Sequence, residues 1–522
     1  MAPTSPIFTK IGIIGAGVSG IAAAKQLRHH DPIVFEGTDT IGGVWSHCCY
    51  SSTNLQSTYK DYEFSDFPWP AAAVKKEFSF PSHLEVLDYL NSYARQFDVL
   101  KCVRFNSKVV ALRYLGGKTT TDKMDTPEEY GSLLSGHPVW EVAVQTNNSD
   151  EIQLYNFEFV VMCIGRYGDV AMMPEFPEKK GPEIFEGKVL HTIDYCKLDK
   201  DATSDLIKDK KVSVIGYKKS AIDLALECAL QNQGSEGKPC TLVVRTLHWA
   251  VPHYWIWGLP FFLFNSTMSL QFPLEKPNQS ILRLLLSSLF SPLLRKVASK
   301  LIESYLLRKL PLEKYGLKPE HPFVEDYASC QMAVIPEKFI PEADKGNIVF
   351  KKASNWWFWE KGIEFEDKSK IEVDVVILAT GYDGNKKLKA IMPESFRSLV
   401  DYPSGLIPLY RGTIHPLIPN MGFIGYVETV ANLHSSEMRS MWLSRLVDKK
   451  FKLPGVPTML DKTLKEMEVM KRTTRFYKRN CISIYNVNHN DEICEEMGWT
   501  AWKKKTWVSE ALSKFRSRDY FN

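Results

Sequence analysis

The stretch from residue 11 to residue 36 limits the fold of this chain more than any other. A short β-branched run, Ile11–Ile14, precedes a glycine-rich loop, and helix-forming residues continue to His29. The loop consists of Gly15, Ala16, Gly17, Val18, Ser19 and Gly20. Gly15 permits a tight turn, Gly17 allows the backbone to approach a pyrophosphate, and Gly20 allows the helix to pack on the strand. Since the amino end of a helix attracts phosphate, the pattern predicts a dinucleotide-binding βαβ unit.

The acidic residue at the end of the second strand indicates which dinucleotide the site can bind. Glu36 closes a short apolar run about 20 residues after the first glycine. A carboxylate there accepts hydrogen bonds from ribose hydroxyls and repels a 2′-phosphate, so the site suits FAD or NAD rather than NADP. Downstream come Gly42, Gly43, Val44 and Trp45. The two glycines allow backbone close to the cofactor, with an aromatic ring beside it.

A second strand, loop and helix repeat this plan. The run Lys211–Ile215 precedes a loop, and a helix follows to Gln231. The loop residues are Gly216, Tyr217, Lys218, Lys219, Ser220 and Ala221. The next strand, Thr241–Val244, ends in Arg245, which can pair with a 2′-phosphate. Two such units predict two nucleotide sites, and the second one favours NADPH.

Lys218 departs from this pattern because it stands where the middle glycine is expected. A side chain there should obstruct the approach of the backbone to a pyrophosphate. Lys218 or Lys219 can instead bind phosphate as a point charge. Both alternatives stay open at this point.

Two strands that end near glycine indicate where the chain passes between domains. Phe157–Ile164 is an apolar run that ends at Gly165, and Val373–Leu378 precedes Ala379, Thr380, Gly381 and Tyr382. We therefore expect an α/β fold with two Rossmann-like domains, the second inserted into the first. Residues 1–170 and 381–457 should form the FAD-binding domain, and 171–380 the NADPH-binding domain. Residues 458–522 should form a docked helical tail.

The composition excludes several classes of partner. The chain has 522 residues, of which 44% are hydrophobic, and a net charge of +4, which gives no reason to expect nucleic acid or an anionic membrane as a partner. Its ten cysteines lack CxxC pairs, so neither a disulfide framework nor a metal site is expected. A reducing compartment, the cytoplasm, fits best, with peripheral association with the endoplasmic reticulum left open. The sequence does not predict an oligomeric state.

The longest apolar segments are too short for a transmembrane helix. Trp255–Phe264 and Ile281–Leu294 are interrupted by Pro260, Arg283 and Pro292. We expect a buried helix or a lid over a pocket. The alternative is that Trp255, Trp257 and Phe261 line or cap a substrate channel.

Taken together, these motifs resemble the flavin-containing monooxygenases over about residues 8–450. The most specific part is the run Phe185-x-Gly187-x-x-x-His191-x-x-x-Tyr195. More narrowly, three segments resemble a plant subgroup that includes an N-hydroxylase of pipecolic acid: Asp66–Pro70, Gly216–Ala221 and Trp255–Phe262. Lys218 departs from the wider family but matches this subgroup.

The resemblance implies a class B flavoprotein monooxygenase. NADPH would reduce FAD, and O2 would form a C4a-hydroperoxyflavin that transfers one oxygen atom to a soft nucleophile. N-hydroxylation of an amine or amino acid such as pipecolic acid, in plant defence (systemic acquired resistance), is the leading prediction. S-oxygenation, peroxide production by an NADPH oxidase and a non-catalytic flavin-binding protein stay as alternatives.

The resemblance also implies roles for individual residues. His191, with Thr380 and Gly381, should contact the cofactors near the junction with the second nucleotide site. The family places an amide side chain near the flavin. Asn54 matches the residue type, whereas Gln56 matches the spacing back from Asp66. Either amide could hold a peroxide by hydrogen bonds.

Overall fold

The computed structural model describes residues 6–74, 79–116, 128–146, 151–232, 238–252, 255–260, 281–401, 405–483 and 486–520. Two mainly parallel sheets lie at its centre, each with helices packed against it. The predicted α/β class is therefore confirmed. Phe261, proposed above for the channel, lies outside the described residues.

The strands are numbered along the chain as follows: β1 Ile7–Ile14, β2 Ile33–Phe35, β3 Val103–Arg104, β4 Ser107–Tyr114, β5 Trp140–Thr146, β6 Ile152–Met162, β7 Lys188–His191, β8 Val212–Ile215, β9 Cys240–Val244, β10 Ala250–Val251, β11 Trp255–Ile256, β12 Leu259–Pro260, β13 Ala333–Val334, β14 Ile348–Lys352, β15 Trp356–Trp359, β16 Gly362–Phe365, β17 Lys370–Glu372, β18 Val375–Leu378 and β19 Met421–Phe423.

The α-helices, numbered in the same way, are α1 Val18–Gln26, α2 Val44–His47, α3 His83–Gln96, α4 Thr192–Tyr195, α5 Lys200–Ile207, α6 Lys219–Gln231, α7 Ile281–Lys309, α8 Phe323–Ala328, α9 Phe339–Asp344, α10 Gly384–Ile391, α11 Glu394–Val400, α12 Asn432–Val447, α13 Val456–Thr473, α14 Asn486–Glu496 and α15 Trp507–Leu512.

The first sheet has seven strands in the order β3-β2-β1-β6-β5-β4, with β19 also beside β6. Strand β1 pairs in parallel with β2 and β6, and β19 pairs in parallel with the end of β6. The carboxyl ends of β1, β2, β6 and β19 therefore meet at one edge. Ligands bind at this edge in open α/β sheets.

The second sheet has five parallel strands in the order β14-β9-β8-β18-β7. Its central strands, β8 and β18, are buried along their whole length. Their continuous apolar runs are typical of a sheet covered on both faces. The chain leaves the first sheet after Met162 and returns to it at Met421, as expected for an inserted domain.

The segment predicted as a docked helical tail, residues 458–522, contains most of helix α13 and all of α14 and α15. Helix α13 buries Met459 and Met467, while Leu464 is 44% exposed. Beyond it, Ile493 joins the core of the first domain and Ile482 joins that of the second. The buried face of α13 is the one that contacts both domains. The apolar spacing of the helix sequence alone does not specify that face.

Two expectations fail. Pro292 does not interrupt the apolar segment, because α7 runs as one helix from Ile281 to Lys309. Several of its described side chains are exposed rather than buried. A disulfide joins Cys330 to Cys481, with their Cα atoms 5.9 Å apart across 151 residues of sequence, a separation that hides the pair from spacing rules. Within the described ranges, no helix combines the length and apolarity needed to cross a bilayer.

We predict that α13 contributes to the stability of the whole protein. Met459→Ala should lower the free energy of unfolding by about 2–5 kcal/mol, because it leaves a cavity in the first core. Leu464→Ala is the matched control and should change it by less than about 0.5 kcal/mol. Chemical denaturation measures both values. Equal effects would contradict the burial of this helix face.

Candidate dinucleotide and active site

The first glycine loop joins β1 to α1 at the carboxyl edge of the first sheet. Gly15 has a φ of +100°, and a Cβ atom there would lie 2.6 Å from the carbonyl oxygen of Cys163. A Cβ atom on Gly20 would lie 1.8 Å from the carbonyl oxygen of Gly15. The loop therefore packs so closely against α1 and β6 that it requires glycine at both positions.

Gly17 differs because the surrounding protein does not require glycine there. Its φ of −71° suits any residue, and an added Cβ atom would come no closer than 3.7 Å to the backbone of Gly43. Gly17 precedes the first turn of α1, which no side chain of the described residues caps. The region in front of α1 therefore has both room for a ligand at Gly17 and backbone N–H groups of the first helical turn. This is the cradle that a pyrophosphate needs.

Several neighbouring residues hold this loop in place. The amide of Gly42 donates to the carbonyl of Ala16 at 3.0 Å, so the Gly42–Trp45 segment crosses the loop. Trp45 Nε1 donates to the hydroxyl of Tyr62 at 3.1 Å, and Val44 is partly exposed beside it. On the other side, Ser19 Oγ lies 3.1 Å from Ser436 Oγ of α12. Val18 packs at the margin of the first core.

Glu36 lies at the end of β2, where the sequence analysis expects a ribose ligand. Its side chain is buried, and one carboxylate oxygen accepts the Ala16 amide at 2.8 Å. The other accepts the amide and hydroxyl of Thr38 at 3.1 and 2.9 Å. These bonds hold the carboxylate against the glycine loop. Among the described residues no cation is paired with this carboxylate, and such an acceptor fits ribose hydroxyls.

The second loop repeats the tight turn of the first. Gly216 has a φ of +140°, and a Cβ atom there would lie 2.6 Å from the carbonyl oxygen of Ala379. Lys219 does not point to a ligand, because its Nζ atom lies 2.5 Å from both carboxylate oxygens of Asp223. The carbonyl of Ser220 accepts a hydrogen bond from Tyr50 of the first domain at 3.1 Å.

Lys218 occupies the N-cap position of α6, where its side chain makes no capping hydrogen bond, and it is exposed to solvent. Although the residue is exposed, neighbouring protein atoms reduce the hydration of its ammonium group. This desolvation and the charge of Arg479 lower its pKa to about 8, with a smaller contribution from Arg245, while Glu428 and Asp326 oppose the shift. The charges of Arg479 and Arg245 therefore act on a lysine at a helix amino end, against the opposing charges of Glu428 and Asp326. Such a cluster suits a phosphate dianion.

Arg479 is a candidate ligand that the sequence analysis missed. It belongs to a short turn, Tyr477–Arg479, in the segment after α13, and it pairs with Glu428 at 2.9 Å. The carbonyl of Arg479 accepts from Arg166 at 2.6 Å, and the Tyr167 hydroxyl donates to Glu428. These contacts bind the segment to the first domain, and the charge of Arg479 acts on Lys218 of the second. No motif marks Arg479, since only the fold brings it to the loop.

His191 lies at the end of β7, next to the end of β18, and is buried. Its Nδ1 accepts the Ile193 amide at 3.2 Å, and its ring meets that of Tyr382 edge-on at 5.4 Å. Burial lowers its pKa, and the Gly381 backbone partly offsets this effect. Thr380 Oγ1 donates to the carbonyl of Met172 at 2.6 Å. His191, Thr380 and Gly381 therefore meet where the linkers cross.

The two candidate amides lie on the loop before α3, and both are exposed. Asn54 donates to the Ser52 carbonyl of its own loop at 3.2 Å. Gln56 instead accepts a hydrogen bond from the Val334 amide of the second domain at 2.9 Å. Nearby, Ser52 Oγ donates to Glu227 at 2.7 Å, another contact between the domains. Of the two amides, only that of Gln56 makes a described contact across the domain junction.

A buried group of His248, His321 and Asp326 has the composition of a metal site, although none is predicted from the sequence. Both imidazoles contact the same Asp326 oxygen, at 2.8 and 2.9 Å, and the Trp249 amide donates to the other oxygen at 2.6 Å. Burial raises the pKa of Asp326, but these hydrogen bonds outweigh it and the net shift is downward. The imidazoles thus already supply the partners that a buried carboxylate needs.

We predict that Gly17→Ala retains the fold but loses the dinucleotide. The added methyl group would lie at ordinary van der Waals distances from the protein, but it would fill the space in which we expect the phosphate to bind. Flavin absorbance per protein and the thermal midpoint without cofactor measure the two effects. Gly37→Ala is the control, because its Cβ atom would lie 3.9 Å or more from Lys108. Full flavin content in Gly17→Ala would contradict the proposed cradle.

Comparisons with known proteins agree with this geometry. The family model "Flavin-binding monooxygenase-like" matches residues 8–501. "Probable flavin-containing monooxygenase 1" of Arabidopsis thaliana is 62% identical over 98% of this chain and 96% of its own length. In structure, the chain resembles the OTEMO complex with FAD and NADP, with a TM-score of 0.63, 19% identity and coverage of 92% and 93% of the two chains.

A second structural relative is the S-allyl-L-cysteine S-oxygenase from Allium sativum. Its TM-score is 0.58 at 18% identity, and the match covers 96% of this chain and 91% of the relative. At such identities these structures establish the shared fold, whereas the family model and the Arabidopsis relative establish membership. The predicted cofactors, FAD and NADPH, are those of this family. The chain is a flavin monooxygenase and belongs to the flavin-binding monooxygenase-like family.

Proposed function

We propose that this enzyme N-hydroxylates an amino acid with a basic ring nitrogen, with pipecolic acid as the leading substrate. The observation that carries the proposal is the contact between the two nucleotide units, where Tyr50 of the first domain donates to the Ser220 carbonyl in the second loop. Two cradles on facing domains support hydride delivery from one dinucleotide to the other. The likeness of residues 66–70, 216–221 and 255–262 to the plant subgroup supports the substrate and a role in plant defence.

The bound cofactors supply hydride transfer, oxygen activation and an electrophilic oxygen, and the protein supplies binding and orientation. In this proposal, the α1 amino end holds the FAD pyrophosphate and Glu36 accepts from the ribose hydroxyls. Lys218, Arg245 and Arg479 hold the phosphates of NADPH. His191 orients the linker between the domains and takes no proton in the reaction.

Water must be kept from the reacting atoms for oxygen to reach the substrate. The contacts of Tyr50 with Ser220 and of Ser52 with Glu227 close the junction between the domains. Gln56 reaches this junction from the first domain, and its amide NH2 can donate to a bound oxygen species. We therefore assign the flavin-side amide to Gln56 rather than Asn54.

S-oxygenation is the second candidate, favoured by the structural likeness to the Allium sativum S-oxygenase. A thioether sulfur and a secondary amine are both soft nucleophiles, and both would accept the same oxygen. The shape of the substrate pocket decides between them. Peroxide production without substrate is the outcome that would identify an oxidase.

The decisive experiment reduces the purified enzyme with NADPH without oxygen and then mixes it with oxygenated buffer. Pipecolic acid should speed the return of the oxidised flavin spectrum and appear as the N-hydroxylated product in amounts matching NADPH consumed. Product from an S-alkylcysteine alone would replace N-hydroxylation by S-oxygenation. Peroxide equal to NADPH consumed, with every substrate, would contradict both.

We predict that NADP+ affinity falls as the pH rises from about 7 to about 9. The pKa of Lys218 is about 8 without a ligand, and a bound phosphate raises it, so binding takes up a proton. Calorimetry at several pH values measures the affinity and the proton uptake. Lys218→Arg should flatten this dependence, since arginine stays charged.

Lys219→Arg is the matched control for this prediction. Because Lys219 is paired with Asp223, the variant should retain the pH dependence of the wild type. An unchanged pH dependence in Lys218→Arg would remove Lys218 from the phosphate site.

We predict that Gln56→Ala uncouples the enzyme. Loss of the amide donor should lower the ratio of hydroxylated product to NADPH consumed by about tenfold and raise peroxide correspondingly. Asn54→Ala, on the same loop, is the control and should change this ratio little. Product and peroxide are measured together during steady turnover. The reverse pattern would assign the role to Asn54.

A further inference from the structure

The disulfide between Cys330 and Cys481 joins the two domains. Cys330 follows helix α8, whose residues Phe323 and Tyr327 belong to the core of the second domain. Cys481 forms an isolated parallel bridge with Glu428, which lies between β19 and α12 of the first domain. The bond therefore connects a helix of one domain to a segment that the other domain holds.

The segment at Cys481 also contains Arg479, whose charge acts on Lys218. The Glu428 amide donates to the carbonyl of Asn480, next to Arg479, and the carbonyl of Glu428 accepts from the amide after Cys481, both at 2.9 Å. Arg479 itself pairs with Glu428 at 2.9 Å. These bonds tie the segment to the first domain, and none of them requires the disulfide.

The contacts of this segment with the second domain are weaker apart from the disulfide. Arg475 pairs with Glu325 of α8 at 2.9 Å, but the Arg475 side chain is 58% exposed, and exposed ion pairs contribute little. The Tyr327 hydroxyl donates to the Ser483 carbonyl at 3.3 Å. Among the described contacts, the disulfide is the only covalent one between the segment and the second domain. It therefore restrains the position of Arg479 relative to the second domain.

The surroundings of the two sulfur atoms favour a reversible bond. The other eight cysteines are not in disulfides, which suits a reducing compartment, where disulfides are usually transient and redox-sensing. Cys330 is partly exposed, whereas Cys481 is 2% exposed, so an external thiol reaches Cys330 first. The Ser483 hydroxyl lies 3.0 Å from Cys481 Sγ and can donate to a thiolate that leaves there.

We propose that Cys330 and Cys481 form a reversible redox site that adjusts the affinity of the enzyme for NADPH. A small thiol attacks Sγ of Cys330, and the Cys481 thiolate leaves and takes up a proton. A second small thiol then attacks the mixed disulfide and releases Cys330 as a thiol. Two S–H groups form in the protein while two small thiols become one small disulfide, and the reverse exchange restores the protein disulfide.

The redox state of the site changes the phosphate site through Arg479. As a disulfide, the pair holds Arg479 at a fixed place beside Lys218. As two thiols, it leaves Arg479 bound to the first domain, so that movement between the domains withdraws this cation from Lys218. The inference rests on the proposed assignment of Lys218 and Arg479 to the phosphates of NADPH.

Equilibration of the purified flavoprotein with mixtures of reduced and oxidised glutathione tests the proposal. Alkylation of free thiols and mass spectrometry should show Cys330 and Cys481 becoming thiols together as the mixture becomes more reducing. The dissociation constant of NADP+, measured by calorimetry in the same mixtures, should rise about fivefold or more over the same range. Cys330→Ser should bind NADP+ in every mixture as the reduced wild type does.

Cys102→Ser is the matched control, because Cys102 is a partly exposed cysteine of the first domain, and it should retain the redox response. Flavin content confirms that each variant is folded. A pair that stays as thiols in every mixture would overturn the proposal. So would reduction that lowers the thermal midpoint but leaves the NADP+ affinity unchanged, because the disulfide would then be structural only.

Separate readouts distinguish this inference from the proposed function. Thiol content and NADP+ binding do not depend on which substrate is oxidised, so a failure of N-hydroxylation leaves the redox result intact. If the NADP+ affinity follows the redox state but Lys218→Arg retains the pH dependence of the wild type, the redox site stands and the assignment of Lys218 to the phosphates fails.

Discussion

The close approach of Gly20 to Gly15 is the contact on which the first domain depends. A Cβ atom on Gly20 would lie 1.8 Å from the Gly15 carbonyl, so α1 starts against the strand edge only because glycine is present. This position brings Ser19 to Ser436 and ties α12 to the phosphate loop. The strand β19, which precedes α12, can then complete the first sheet after the inserted domain. One steric condition thus organises segments more than 400 residues apart.

The second site depends on charge more than on steric fit. Lys218 occupies the place of a glycine, and Arg479 and Arg245 add two further cations. Desolvation lowers the pKa of Lys218, the charges of Arg479 and Arg245 lower it further, and a bound anion would oppose this shift. Arg479 forms a salt bridge with Glu428. The segment that contains Arg479 is also joined to Cys330 by the disulfide of Cys481. The carboxyl-terminal region is therefore a part of the junction between the domains and of its electrostatics.

Helices α7 and α13 show how the tertiary environment determines which helix face is buried. Both carry apolar residues at helical spacing. In α13, the face with Met459 and Met467 meets the two cores, and Leu464 is left exposed. In α7, Ile302, Tyr305 and Leu306 are buried in the core of the second domain, whereas Leu285, Leu289 and Leu293 are exposed. Burial follows the neighbours of a helix, and the helix sequence alone does not specify them.

Local patterns in the sequence determined the α/β class, the two glycine loops and the strands before them, because turns, helix starts and buried parallel strands depend on neighbouring residues. They also supplied the motifs shared with the family. Only the tertiary structure decided the place of Arg479 beside Lys218, the pairing of Cys330 with Cys481 and the exposure of α7. Most of these features join residues far apart in the chain, and all depend on how separate elements pack, which local spacing does not encode.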